Sequence, residues 1–360
     1  YQVIHLKKVI KKILSTINDT INDEDFKKNY KSNPTDFTRT RKISFSLIIY
    51  FVLGLFNTSF DFERIKFCKT ANIESVSNAA LSKARDKVKF TAFKELLKKT
   101  QAIIPSTNRY KGYRVIAVDG IKGELPNTPE IRNKFGVSKG RKYPLFHAVT
   151  SFDVLNCKFI DAEFAMSISD ERKLAYTLLE NHQSEKDILL YDRGFPSLAL
   201  IQKLNDRNQK FVARVSKSFI KEVNEFATEK ALDKVVHIDY SSRRGATSRI
   251  KNVNLPYAVD LRCVKVFLKS GETEILITNL SNDEFKRNDI GHLYALRWGI
   301  EIGFNHLKNA IHIEEFVGIK ENSIKQEFYS ILIKYNIVML YIKEADNMAI
   351  WNKKNFKNKL

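Results

Sequence analysis

The chain has 360 residues, which is too long for one small domain and long enough to bury a large core. Its 61 Lys and Arg against 41 Asp and Glu give a net charge of +20, which attracts polyanions and favours nucleic acid as the partner. Three scattered cysteines exclude a disulfide framework and fit a reducing cytosol, and the longest apolar stretch, residues 45–56, is too short to span a bilayer.

Residues 1–105 show helical periodicity, with a polar break at 31–41, and predict an all-α DNA-binding domain. Within it, segment 76–94 places small side chains among Lys and Arg, which suits close approach to phosphates. Two plainer explanations stay open. The segment also fits an ordinary helix that packs through its alanines, and an A+T-rich genome would raise the Lys content without any role in binding.

From Gly112 the pattern changes to short strands, rich in β-branched residues, that alternate with helices. Strands are predicted at 113–118, 145–155, 158–165, 188–191, 211–215, 235–240, 259–268 and 274–278, and helices at 169–181, near 196, at 289–310 and at 323–345. This order indicates an α/β fold: a ribonuclease-H-like mixed sheet flanked by helices, interrupted by a β-rich insertion, with an N-terminal all-α domain. Other α/β folds fit the same order.

The element order also predicts domain boundaries. The catalytic domain is expected to comprise residues 106–216 and 286–345, with the β-rich insertion domain at 217–285 between its two parts. The last residues, 346–360, are expected to form a basic C-terminal tail.

Two aspartates follow predicted strands of the sheet. Asp119 ends the first strand and Asp192 follows the fourth, so both carboxylates can meet at neighbouring strand ends. Mg²⁺ takes hard oxygen ligands of this kind, and a two-metal site needs at least one shared carboxylate. Each aspartate also has an ordinary explanation, because Asp119-Gly120 is a turn dipeptide and Asp192 can pair with Arg193 or cap the helix near Pro196.

The predicted helix at 289–310 carries a second group of polar residues. At about 100° per residue, Tyr294, Arg297, Glu301 and Lys308 share one narrow face, and apolar residues gather on an adjoining face. The helix is therefore expected to pack by one stripe and to present a carboxylate among phosphate-binding donors on the other. The alternative is a surface pair between Arg297 and Glu301, worth a few tenths of a kcal/mol.

The spacing Tyr294-x2-Arg297-x3-Glu301-x6-Lys308 resembles the signature of the insertion-sequence-four group of bacterial DDE transposases. Further similar segments are Val118-Asp119-Gly120, Leu125-Pro126, Phe135-Gly136, Asp192-Arg193-Gly194-Phe195 and Thr278-Asn279-Leu280. The resemblance covers roughly residues 43–318. Compared with that group, the N-terminus is expected to be incomplete, and little chain remains for the C-terminal helices that some relatives use to dimerise.

The resemblance implies an enzyme that cleaves DNA at transposon ends and transfers the 3′-OH strand into target DNA. Asp119, Asp192 and Glu301 would be the catalytic residues and would bind two ions of Mg²⁺ or Mn²⁺. Tyr294, Arg297 and Lys308 would contact DNA phosphates. Arg193 can add a contact, because guanidinium groups recognise phosphate, although an ordinary salt bridge fits it equally well.

The resemblance also implies partners and a location. The partner is double-stranded DNA, both as terminal inverted repeats and as target, and relatives act as homodimers in a synaptic complex. The expected location is the bacterial cytoplasm, associated with the nucleoid, and no membrane partner is expected. Two alternatives stay open: a metal-dependent nuclease that cuts without joining, and an inactive transposase-derived DNA-binding protein, which would be expected to lose a carboxylate.

Overall fold

The computed structural model describes residues 2–56, 58–137, 139–166, 171–182, 184–239, 258–309 and 313–357. The first part of the chain is helical, as predicted. Its helices are α1 (Gln2–Asn22), α2 (Glu24–Tyr30), α3 (Phe45–Leu53), α4 (Phe60–Thr70), α5 (Asn78–Asp86) and α6 (Thr91–Ile103). Side-chain caps at Asp23, Ser44, Ser59 and Ser77 accept a backbone N–H three residues on, which fixes where α2 to α5 begin.

Eight strands form one sheet in the order β3-β2-β1-β4-β5-β8-β7-β6. The strands are β1 (Arg114–Glu124), β2 (Leu145–Asp153), β3 (Lys158–Met166), β4 (Asp187–Tyr191), β5 (Lys210–Val215), β6 (Asp233–Asp239), β7 (Ala258–Phe267) and β8 (Thr273–Thr278). β1 pairs antiparallel with β2 and parallel with β4, and β4 is parallel to β5, so the sheet is mixed, as predicted. The strands of the predicted insertion extend this sheet, because β8 pairs antiparallel with β5.

Helices cover both faces of the sheet. They are α7 (Pro129–Phe135), α8 (Glu171–Asn181), α9 (Leu198–Asp206), α10 (Lys221–Thr228), α11 (Arg287–Ala295), α12 (Trp298–Asn309) and α13 (Glu321–Lys357). Alternation along β1 divides its side chains between two cores: Ile116 and Val118 face α8 and α9, whereas Ala117 and Ile121 belong to the core that includes α12, α13 and the N-terminal helices. α13 packs against α1, α3, α6 and β3, and so joins the helical region to the sheet.

Several sequence-based boundaries differ from the structure. The predicted helix at 289–310 is two helices, α11 and α12, separated at residues 296–297 by backbone hydrogen bonds between residues three apart. β1 extends six residues beyond its predicted end, because its second half pairs with β2. Helices α7 and α10 were not predicted. Predicted residues 169–170, 240 and 310 lie outside the described residues, as do 358–360 of the predicted tail.

None of the helices in the described part of the chain has a stretch that is both long and apolar enough to cross a membrane.

A buried ion pair ties α5 to α13. Arg85 and Glu327 are 2% and 1% exposed, and Nη2 of Arg85 lies 2.7 Å from Oε1 of Glu327. Nε of Arg85 donates to Oε1 of Gln326 at 2.7 Å, and the carboxylate of Glu327 accepts the backbone N–H groups of Val317 and Gly318. Because both charges are shielded from water, each depends on the other for compensation.

Replacing Glu327 with Ala should lower the free energy of unfolding by about 3 to 5 kcal/mol, because it leaves the guanidinium of Arg85 buried without its counter-ion. Chemical denaturation measures the change. The matched control is Glu225→Ala, which removes an exposed ion pair with Lys221 and should cost less than about 1 kcal/mol. Equal losses in the two variants would show that the buried pair does not stabilise the α5–α13 contact.

Candidate active site

The parallel pairing of β1 and β4 brings two aspartates together. It ends at Val118 and Tyr191, so Asp119 and Asp192 are the next residues of neighbouring strands at one edge of that pairing. Asp119 lies inside β1 opposite Thr150, which corrects the expectation that it ends the strand and removes the turn explanation. Its Oδ1 accepts the N–H of Gly120 at 2.8 Å.

The structure also excludes the two ordinary explanations for Asp192, which were a helix cap and an ion pair with Arg193. Helix α9 is capped by Ser197, whose hydroxyl accepts the N–H of Leu200 at 3.2 Å, so Asp192 is not its cap. Arg193 is exposed and forms no ion pair with any described residue. Oδ1 of Asp192 instead lies 3.9 Å from Nη1 of Arg214, which is itself paired with Glu274 at 3.0 Å.

Arg297 joins two of the three predicted catalytic carboxylates. Its Nη1 donates to Oδ2 of Asp119 at 3.0 Å, and its Nη2 donates to Oε1 of Glu301 at 2.8 Å. The guanidinium carbon lies 5.1 Å from the ring centre of Trp298 and 5.9 Å from that of Tyr294. Because Arg297 is only 4% exposed, the contact with Glu301 is not the surface pair considered from the sequence.

Tyr294 holds the third carboxylate. Its hydroxyl donates to Oδ1 of Asp192 at 3.1 Å, and the side chain is buried. Burial, followed by the negative charge of Asp192, raises the pKa of Tyr294, so the phenol stays protonated and remains a donor. Asp119, Asp192 and Glu301 are thus gathered by two residues of the same sequence signature.

The expected solvent-facing stripe is therefore wrong in part. Tyr294, in α11, and Arg297, at the break before α12, are buried and bind the carboxylates, while Lys308 is exposed and 3.9 Å from Glu314. A continuous helix, as assumed from periodicity, would have placed all four signature residues on one surface. Four of the apolar residues predicted for the packing face, Leu293, Ile300, Phe304 and Leu307, are buried as expected; Leu296 is half-buried, and Ile311 lies outside the described residues.

Burial dominates the electrostatics of the site. It raises the pKa of Asp119 to about 6, and the negative charges of Asp192 and Glu301 act in the same direction. The N–H of Gly120 and the charge of Arg297 lower that pKa without cancelling the effect of burial. The negative charge of Asp119 would consequently be stabilised by an added cation or removed by a proton.

The three carboxylates suit a divalent cation, although Arg297 and Tyr294 now bind them. Three carboxylates offer the hard oxygen ligands that Mg²⁺ and Mn²⁺ prefer. Within the ranges that the structure describes, no three His, Cys, Asp or Glu side chains are arranged as a metal-binding group. The oxygen atoms of these residues suit a metal ion. The guanidinium of Arg297 now bridges Asp119 and Glu301, so a metal ion would have to replace Arg297 as their partner.

A fourth acidic residue near the site was not identified from the sequence. The carboxyl group of Glu171 packs against the backbone of β1, where a Cβ on Gly120 would lie 3.2 Å from its carboxyl carbon. Glu171 also forms an ion pair with Lys122, whose Nζ lies 2.8 Å from its Oε1. Many acidic residues stand in the first turn of a helix, and only its contact with Gly120 of another element distinguishes Glu171 from them.

Comparison with known proteins gives relatives of one kind. Residues 110–337 match the family described as "Transposase DDE domain". The chain is 21% identical over 327 residues to the transposase InsG for insertion sequence element IS4 of Escherichia coli, covering 86% of this chain and 72% of that protein. It is 26% identical over 168 residues to the putative transposase for element IS4SA of Synechocystis, covering 45% and 44%.

A solved structure shares the fold. The piggyBac transposase, in a synaptic complex with hairpin DNA, superposes with a TM-score of 0.51 at 10% identity, over 94% of this chain and 76% of that one. The family match spans more than half of the chain and includes Asp119, Asp192 and Glu301. The chain therefore belongs to the DDE transposases, in the IS4 group, and has the ribonuclease-H-like transposase fold.

Proposed function

We propose that the chain cleaves DNA at transposon ends and transfers the released 3′-OH strand into target DNA, as a cut-and-paste transposase. Family membership makes it a DNA transposase. The observation that carries the finer proposal is the meeting of Asp119, Asp192 and Glu301 around Arg297 and Tyr294. A single carboxylate that lay far from the other two would not support metal-dependent cleavage of DNA.

Asp119, Asp192 and Glu301 would be the catalytic residues and would together hold divalent metal, as two ions of Mg²⁺ or Mn²⁺. When bound, such ions activate water and stabilise the oxygen that leaves a phosphodiester. The protein's own contribution is to keep three carboxylates close together and partly shielded from water. The raised pKa of Asp119, caused first by burial, is evidence of the cost of that arrangement.

The signature donors would contact DNA by exchanging partners. Arg297 and Tyr294 now bind carboxylates, and a phosphate offers oxygen acceptors to the same groups, including the two-pronged geometry that a guanidinium prefers. Lys308 and Arg193 are already exposed; Arg193 has no ion pair among the described residues, and Lys308 would give up only its 3.9 Å contact with Glu314. Arg297 would therefore leave Asp119 and Glu301 as cations and DNA enter together.

The domains, partners and location of the chain follow the same proposal. Residues 1–105 would form the DNA-binding domain, 106–216 and 286–345 the catalytic domain, 217–285 the insertion domain and 346–360 a basic tail. The partners would be terminal inverted repeats and target DNA, bound by a homodimer in the synaptic complex. The site of action would be the cytoplasm of a bacterium, at the nucleoid.

Changing Glu301 to Gln should reduce cleavage and joining by more than about 100-fold, because loss of one charged ligand exceeds the 10- to 100-fold cost of outer-shell changes around a metal. The assay is Mg²⁺-dependent cleavage and joining of a labelled duplex that carries the flanking terminal repeat. Glu225→Gln, which changes an exposed glutamate on α10, should behave as wild type.

The same assay separates the alternative functions. Cleavage without joining by the wild-type chain would indicate a metal-dependent nuclease. Binding without cleavage by both wild type and Glu301→Gln would indicate a DNA-binding protein and would exclude the enzymatic proposal.

Changing Arg297 to Gln should weaken binding to the terminal-repeat duplex and lower the slope of log affinity against log salt by about 1, because one phosphate contact is lost. Fluorescence anisotropy at several NaCl concentrations measures both quantities. Arg109→Gln is the control, since Arg109 is exposed, precedes β1 and donates only to the backbone oxygen of Gly112 among the described contacts. An unchanged affinity and salt slope in Arg297→Gln would rule out the proposed phosphate contact.

Changing Asp119 to Asn should stabilise the metal-free chain at neutral pH, by about 1 to 3 kcal/mol. Burial raises the pKa of Asp119 to about 6, so the stability that its protonated form contributes is complete below about pH 4 and is lost as pH rises through 6. Denaturation of both proteins in EDTA from pH 4 to 8 should show a difference in stability that grows between about pH 4 and 6 and then levels off. A destabilised Asp119→Asn at pH 7.5 would mean that the ion pair with Arg297 outweighs burial.

A further inference from the structure

A basic cleft lies in the N-terminal helices. It is a space of about 710 Å³ between residues 35–43 and helix α5. Five cationic side chains line it, and none of its described lining residues is acidic: Arg39, Arg41, Lys42, Lys83 and Lys87. The cleft shares no residue with the carboxylate site around Arg297.

Three of the five cations are uncompensated. Lys42 pairs with Glu74, and Lys87 lies 3.3 Å from Asp36. Arg39, Arg41 and Lys83 are exposed and form no ion pair within the described part of the chain. Three free positive charges in one concave surface create a local field that attracts a polyanion.

The wall formed by α5 begins with small side chains. Ala79 and Ala80 are exposed beside the N-cap Ser77, so at these two positions only a methyl group lies between a ligand and the helix backbone. The residues that α5 buries are Leu81 and Arg85. The helix therefore does not pack through these two alanines, and its small residues face the cleft.

The cleft is held firmly relative to the catalytic sheet. Arg85, on the buried side of α5, forms the ion pair with Glu327 of α13, and Gln326 donates to the backbone oxygen atoms of Arg85 and Val88. α13 in turn packs on β3. A ligand in the cleft is thus positioned by the same framework that positions the carboxylates.

We propose that this cleft is a second DNA-binding site, which grips the phosphodiester backbone of double-stranded DNA through Arg39, Arg41 and Lys83. The proposal rests on the function proposed above and adds a contact surface to it. Phosphates are the expected ligand because the three unpaired side chains are all cationic. Duplex DNA is the expected source of the phosphates because the chain is a DNA transposase. Such contacts position DNA and carry no sequence information.

The test compares two triple variants of the full chain that lose the same charge. One is Arg39→Gln, Arg41→Gln and Lys83→Gln; the control is Lys217→Gln, Lys230→Gln and Lys269→Gln, three exposed lysines of the insertion region. Fluorescence anisotropy in EDTA measures binding to the terminal-repeat duplex, an unrelated DNA duplex and an RNA duplex at several salt concentrations. Thermal unfolding verifies that both variants fold.

The cleft variant should bind both DNA duplexes at least about tenfold more weakly at 0.15 M salt, with a salt slope shallower by about 2 to 3, because each phosphate contact contributes about 0.9. The control should change less than half as much. Equal losses in the two variants, or a loss confined to RNA, would overturn the cleft proposal. If wild type binds and cleaves while the cleft variant binds equally well, only the cleft is refuted; if wild type binds no DNA, the proposed function fails as well.

Discussion

The contact of Arg297 with two carboxylates is the interaction on which the site depends. Asp119, Asp192 and Glu301 carry three negative charges into one partly buried region, and such charges repel each other and lose hydration. The guanidinium of Arg297 and the phenol of Tyr294 offset part of that cost. The raised pKa of Asp119, due first to burial, shows that the compensation is incomplete. The arrangement therefore favours the arrival of further positive charge.

The sheet makes this concentration of charge possible. β1 is paired on both sides, with β2 and with β4, so the backbone at Asp119 cannot yield to the repulsion between carboxylates. Gly120 contributes as well, because the absence of a side chain there lets Glu171 pack against the strand. On the other layer, α13 joins the N-terminal helices to β3 through a continuous apolar core. Positions on the helices are therefore fixed relative to the strands.

The sequence predicted what depends on local patterns and chain order. Strand patterns and the order of elements predicted a mixed sheet but also fitted other α/β folds, and the family resemblance is confirmed by the match over residues 110–337. Periodicity could not reveal that the signature helix breaks before Trp298, because no Gly or Pro stands at residues 296–297 to mark the break. Nor did it predict that Arg297 and Tyr294 are buried. Glu171 was missed because only the packing against Gly120 identifies it.

The two groups of cationic side chains that are proposed to contact phosphate differ in character. At the carboxylates, Arg297 is buried and both of its Nη atoms donate to carboxylates, so a phosphate gains these donors only by displacing an existing ion pair. In the cleft beside α5, Arg39, Arg41 and Lys83 are free, so a phosphate gains them without displacing any described partner. Free charges act at longer range and at lower cost than paired ones, which favours DNA meeting the cleft first. The buried arginine would then respond only to DNA already held in place, which restricts rearrangement of the carboxylates to the DNA-bound chain.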